Sequence, residues 1–191
     1  MGSNKSTIPP IPNAQELMQE TGFSASHIQS LYERFEQLDQ DGRGALRVED
    51  FEVLSGLAVN PIKDRIIGAF FSPGKDSVDF PSFVRVMAHF QWSGSNRNKT
   101  SSQDAYNSPN SKLRFLFQLY DQDRDEKISR GEMLQVLQEM LGMEDEQLQS
   151  IVEKAIQEAD LDQDGAISFD EFKKCLEKVN IDEKMKIGFL C

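Results

Sequence analysis

Histidine, cysteine and tryptophan are scarce in this chain: two, two and one among 191 residues. The histidines, His27 and His89, are far apart and have no partner residues beside them, so both read as surface or packing residues. No reactive Cys or Ser is matched to a His, no zinc ligand set is present and no Gly-rich phosphate loop occurs. A catalytic role therefore has no support. The cysteines, Cys175 and Cys191, form no disulfide framework. Cys175 has helical spacing to Phe172 and Leu176 and reads as a buried thiol. Cys191 is the last residue, and prenylation needs three residues after the Cys. No secretory signal is visible and no apolar run is long enough to span a bilayer. The expectation is a cytosolic protein with reduced thiols. Basic residues are also in deficit, 21 Lys and Arg against 32 Asp and Glu, for a net charge of −11 and a pI near 4.7. That balance argues against nucleic acid as a partner and suits cation binding and a basic partner.

What the chain does have is apolar mass and a repeat. Hydrophobic residues make up 38%, with thirteen Phe, enough for one large domain or two small lobes. The most informative stretch is Asp160–Glu171, Asp-Leu-Asp-Gln-Asp-Gly-Ala-Ile-Ser-Phe-Asp-Glu. Acids fall at positions 1, 3, 5 and 12 of a twelve-residue loop. Gly165 stands at position 6, where the turn needs positive φ, and Ile167 is the apolar residue at position 8. This is the pattern of an EF-hand calcium loop: Asp160, Asp162 and Asp164 give side-chain oxygens, Ala166 a backbone carbonyl, and Glu171 a bidentate carboxylate.

The same frame recurs upstream. Asp121–Glu132 places Asp121, Asp123, Asp125 and Glu132 at the acidic positions, Lys127 at the carbonyl position and Ile128 at position 8. Position 6 is Glu126, which must accept a left-handed backbone at about 1–2 kcal/mol. A third copy, Asp39–Asp50, keeps Gly44 and Leu46. However, Arg43 puts a cation at position 5, and Asp50 is one methylene short of bidentate reach. It reads as structurally intact but unable to bind metal. In the fourth, Phe71–Ser82, only Val78 fits; Phe71, Pro73, Lys75 and Ser82 replace the ligands. Two calcium ions per chain are expected.

The flanks fit all four frames. Phe35, Ile67, Phe117 and Ile156 stand four residues before the loops, and Phe51, Phe83, Met133 and Phe172 just after them. The expected fold is all-α: two lobes of paired EF-hands, each pair joined by a short antiparallel ladder through its position 8 residues. The boundaries read as an N-terminal arm and short helix over 1–22, an N-lobe over 23–91, a flexible linker over 92–111, a C-lobe over 112–178 and an apolar tail over 179–191.

Local signals fill in the rest. Met1–Ser6 matches the N-myristoylation pattern, with Gly2 as the acylated residue. Thr7–Pro12 reads as extended. Asn13 caps a short helix with Glu16 three residues on, and Ser24 opens the next, with Ile28, Leu31, Phe35 and Leu38 on one face. Asn60-Pro61 starts another, with Pro at the first helical position. Leu113, Leu116, Phe117 and Tyr120 lead into one live loop; Leu148, Ile151, Val152, Ala155 and Ile156 lead into the other. Trp92, at the linker edge, reads as a packing residue. The tail, with Ile181, Met185, Ile187, Phe189 and Leu190, has no partner within its own repeat.

With these motifs in place, the chain resembles the calcineurin B homologous proteins over nearly its whole length. The resemblance rests on Glu20–Ser24, Ala58–Ile62, Asp64–Ile67, Phe83–Phe90, Phe117–Ser129 and Glu183–Met185. It implies a myristoylated protein carrying calcium in its last two loops. Its partner would be an amphipathic juxtamembrane helix in the cytoplasmic tail of a Na+/H+ exchanger. The location would be the cytoplasm and the cytoplasmic face of the plasma membrane, with a nuclear fraction left open. Calcineurin B, the near relative, keeps four working loops, and the loss of two here favours the homologous proteins. The alternative is a regulatory subunit or inhibitor of a calcineurin-type phosphatase, bound to its catalytic subunit. A free calcium buffer is a third reading, opposed by the apolar tail and the retained metal-free lobe.

Overall fold

The computed structural model describes residues 11–54, 59–91, 106, 108–143 and 145–177. Gly2, residues 7–10, Trp92, most of the expected linker, Cys191 and the apolar tail lie outside the described residues. The described chain is mostly helical, with two small antiparallel sheets of two strands each. In order the elements are α1 (Ala14–Thr21), α2 (Ala25–Leu38), β1 (Ala45–Leu46), α3 (Val48–Phe51), α4 (Lys63–Gly68), β2 (Val78–Asp79) and α5 (Phe80–Ala88). There follow α6 (Pro109–Tyr120), β3 (Lys127–Ser129), α7 (Arg130–Leu141), α8 (Asp145–Ala159), β4 (Ala166–Ser168) and α9 (Phe169–Leu176). Each strand lies in the second half of a twelve-residue loop, and the loops pair two by two, first with second and third with fourth. β1 pairs with β2 through Leu46 and Val78, and β3 with β4 through Ile128 and Ile167. These four position 8 residues are 0–3% exposed. The pairing is that of paired EF-hand lobes.

Helix starts follow side-chain chemistry. Ser24 accepts a hydrogen bond from the His27 amide at 3.3 Å and opens α2. Asp79, Ser108, Ser129 and Ser168 do the same for α5, α6, α7 and α9. Two expected starts differ. Asn13 adopts φ 57°, so its side chain cannot reach back over the first turn; it donates to Glu16 at 3.1 Å instead. Pro61 lies in a turn before α4, whose cap is Ile62; the Asn60 side chain accepts from the Ile62 amide at 3.1 Å and forms that turn.

The core residues expected on α2 are all buried: Ile28, Leu31, Phe35 and Leu38. α6 differs from a one-sided helix. Leu113, Phe115 and Leu119 enter the first core, while Phe117 enters the second with Ile128, Val152, Ile156 and Ile167. It carries apolar residues on two faces because it packs on both sides. Its Lys112 is also buried, with Nζ donating to the Gln91 carbonyl. His89 turns out to have partners. Its Nδ1 is 3.2 Å from the Val86 carbonyl, its Nε2 is 3.2 Å from the Ser111 hydroxyl, and its ring stacks on Phe115. Two other expectations fail for rotational reasons. Cys175 is exposed, because it stands about 100° round α9 from Leu176, off the apolar stripe. Ile151 is also exposed, while Leu148, Val152 and Ile156 carry the inward face of α8.

Candidate metal centres

Numbered in chain order, the third loop (Asp121–Glu132) and the fourth (Asp160–Glu171) share one backbone design. The position 1 carboxylate folds back over the loop and accepts amide hydrogen bonds from positions 5 and 6. Asp121 takes those of Asp125 at 3.2 Å and Glu126 at 3.1 Å; Asp160 takes those of Asp164 at 3.2 Å and Gly165 at 2.8 Å. Positions 4 and 6 are left-handed: Arg124 and Glu126 at φ 61° and 68°, Gln163 and Gly165 at φ 62° and 90°. Glu126 thus holds the strained conformation expected of it. Asp123 and Asp162 each accept from the position 5 amide at 3.2 Å, and Asp125 and Asp164 from the position 7 amides at 2.9 and 3.0 Å. With the carboxylates turned inward by these bonds, the Lys127 and Ala166 carbonyls are offered from the first residues of β3 and β4.

In the third loop, carboxylate oxygens of Asp121, Asp123 and Glu132 lie within 4.8 Å of one another; in the fourth, those of Asp160, Asp162 and Asp164 do. Two oxygens on opposite sides of one calcium ion stand about 5 Å apart, so both sets fit a single hard cation. Asp125 stands outside the first set and Glu171 outside the second. Glu171 is held by contacts of its own. It caps α9, accepting from the Ser168 amide at 2.9 Å, the Ser168 hydroxyl at 2.7 Å and the Leu161 amide at 2.7 Å. Glu132 makes the matching bonds to Ser129 and Gln122 yet keeps an oxygen near the third loop's cluster. The side chains present, all oxygen donors around a negative cavity, suit calcium rather than a softer metal.

Protonation reflects the same contacts. Bonds from the Ser168 hydroxyl and amide, with the Leu161 and Asp162 amides, hold Glu171 at a pKa of about 2, against burial. Burial pushes Glu132 upward, but the Ser129, Gln122 and Asp123 donors keep it below the usual carboxylate range. Burial raises Asp121. Asp164 is lowered by Lys127, whose Nζ donates to it from the neighbouring loop. The sequence assigned Lys127 only its carbonyl. The register could have exposed the second role, because pairing through position 8 sets Lys127 opposite Ser168, beside the fourth loop.

The first two loops differ in kind. In the first, Asp39 accepts from the Arg43 and Gly44 amides at 3.0 and 2.6 Å, repeating the live design. The Arg43 guanidinium then bonds Asp41 at 2.6 Å and Asp50 at 2.7 Å. In the second, Asp79 caps α5 and no position supplies a matching acid set. A contact between lobes also escaped the sequence. Arg65 of α4 bonds Glu139 of α7 through two nitrogens, at 2.5 and 2.9 Å, and the Leu119 carbonyl at 2.9 Å. It thereby satisfies an orphan carbonyl at the end of α6, just before Asp121. Nothing in residue spacing points to that pair.

Comparison with known proteins agrees with this geometry. Residues 110–177 match the family model described as an EF-hand domain pair. The calcineurin B subunit of Naegleria gruberi is 39% identical over 189 residues, which is 98% of this chain and 99% of that protein. The type 1 calcineurin B subunit of Dictyostelium discoideum is 37% identical over 178 residues, 92% of each. A calcium-binding chain of paired EF-hands, alike from end to end, belongs to the calcineurin B-like family.

Proposed function

We infer that this protein is the calcium-binding regulatory partner of a calcineurin-type phosphatase, binding an amphipathic helix of the catalytic chain. The observation that carries this reading is similarity to calcineurin B proteins over almost the full length of both chains. The chain itself works by binding and makes no catalytic contribution. Two calcium ions bind, one held by Asp121, Asp123, Asp125, the Lys127 carbonyl and Glu132, the other by Asp160, Asp162, Asp164, the Ala166 carbonyl and Glu171. Calcium orders the second lobe and opens its helices, which creates half of an apolar groove. Exposed Met140, Leu141 and Met143 at the end of α7 suit such a contact. The net charge of −11 suits a helix with a basic second face.

A second reading keeps the groove and changes the occupant to the juxtamembrane helix of a Na+/H+ exchanger. It is favoured by the state of the first loop, where Arg43 engages two of the ligand positions. Acylation at Gly2 would then add a membrane contact on the cytoplasmic face. Calorimetric titration with each helix as a peptide, in calcium and in chelator, separates the two. The phosphatase helix is expected to bind more tightly, and to weaken in chelator. Micromolar binding of the exchanger helix with none of the other would establish the second reading. Binding of neither would defeat both.

A further inference from the structure

We propose that the first loop is a cation site occupied by the chain's own Arg43, so that the first lobe stays ordered at every calcium level. The loop repeats the bonds that close the two acid loops at position 1 and at the start of the following helix. Asp39 accepts the position 5 and 6 amides as Asp121 and Asp160 do, and Asp50 accepts the Arg47 amide at 2.7 Å where Glu132 and Glu171 accept those of Ser129 and Ser168. The Asp39, Asp41 and Asp50 carboxylates do not draw together as those of the two acid loops do, yet Asp41 and Asp50 both come within reach of one cation. The Arg43 guanidinium supplies it. Nη1 bonds the position 3 carboxylate and Nη2 the position 12 carboxylate, at 2.6 and 2.7 Å. Those are ligand positions in the two halves of the loop, and a calcium ion joins the same two positions in a working hand.

Two further features fit the substitution. Guanidinium is larger than a calcium ion, and position 12 is Asp50, retracted by one methylene from the usual Glu, which gives it room. Glycine occupies both left-handed positions, Gly42 at φ 63° and Gly44 at φ 74°, where the third loop carries Arg124 and Glu126. The first loop therefore closes without backbone strain and without metal. Closure holds Leu46 in register with Val78, the contact that joins the first two hands.

Hydrogen exchange on the full-length protein tests this, read at Ala45–Leu46 and Val78–Asp79 with Lys127–Ser129 and Ala166–Ser168 as the internal reference. In the unaltered protein, protection of the first ladder should be equal in calcium and in chelator, while that of the second falls in chelator. Arg43→Met should lower first-ladder protection at least tenfold in both conditions and leave the calcium response of the second unchanged. Because Arg43→Met could disrupt the lobe in other ways, the pair Arg43→Asp with Asp50→Glu is the second arm. It should lose first-ladder protection in chelator, regain it in calcium, and bind one more calcium ion than the unaltered chain. Full protection of Arg43→Met, or of the double variant in chelator, would overturn the proposal.

Discussion

At the residue scale, single side chains set the properties of otherwise similar loops. Glu126 holds φ 68° where the partner loop has Gly165. Changing Glu126→Gly should relieve about 1 kcal/mol and tighten calcium at that loop by up to about fivefold. Its ion pair with Arg114, at 3.7 Å and exposed, adds little in opposition. A calorimetric titration showing an unchanged or weaker site would mean that the charge of Glu126 matters more than its backbone. Lys127 is the opposite case, a cation resting on a ligand of the neighbouring loop. Lys127→Gln should raise affinity at Asp160–Glu171 by about two- to fivefold, the range for an exposed charge pair. The gain should shrink in high salt, because such pairs are screened. Glu132→Gln and Glu171→Gln should each abolish one calcium site. Each should also destabilise the metal-free protein by about 1 kcal/mol, because both carboxylates cap a helix.

At the scale of elements, α6 carries the connection between lobes, and His89 of the preceding segment is fastened to it. Val86 offers only a carbonyl, so Nδ1 must donate to it; Nε2 is then free to accept the Ser111 hydroxyl proton. Tyr106 and Phe115 pack on the ring, and Lys112 lies close enough to repel a second cation. Burial holds the pKa of His89 below its ordinary value of 6.5. The folded protein therefore binds fewer protons here than the unfolded chain does. This contribution is complete above about pH 6.5 and is lost as pH falls through the lower folded value. Urea unfolding between pH 7.5 and 5 should show that decline, and His89→Gln should flatten it even if it lowers stability throughout. An identical pH slope in the variant would assign the effect to the carboxylates. Arg65 is the other connector, nearly buried and bonded to both Glu139 and the Leu119 carbonyl. Arg65→Ala should lower stability by about 1.5–3 kcal/mol, as loss of charged hydrogen bonds does.

For the whole molecule, the proposal has the two lobes ordered differently: one by an internal guanidinium, the other by calcium. Calorimetry should count two calcium ions; four would refute the reading of the first two loops. If a partner helix spans both lobes, chelation should weaken its binding without abolishing it, since only one half of the groove depends on metal. Gly2→Ala should reduce membrane residence but leave affinity for a soluble helix nearly unchanged, because a single acyl chain gives only marginal anchoring. A large loss of peptide affinity in Gly2→Ala would instead place the N-terminal arm in the groove.

The sequence alone determined the four loop frames and their pairing, and it supplies the two acid sets on which the expectation of calcium rests. It could do so because an EF-hand is a local device: ligand positions, the left-handed turn, the caps at Ser129 and Ser168, and the position 8 residue all lie within twelve residues. The left-handed backbone at Glu126 and the burial of Leu46, Val78, Ile128 and Ile167 were legible for that reason. Tertiary structure decided the rest. Cys175 and Ile151 fit an apolar stripe by spacing, yet a rotation of one residue on a finished helix put both outside. Both faces of α6 are buried only because a second lobe arrives to cover one of them. Arg65 and His89 found partners 74 and 22 residues away. Contacts at such separations depend on how lobes and loops meet, and no local spacing encodes that. Arg43 lies between the two cases: its place in the loop could be read, but only the folded carboxylates show that it bridges Asp41 and Asp50.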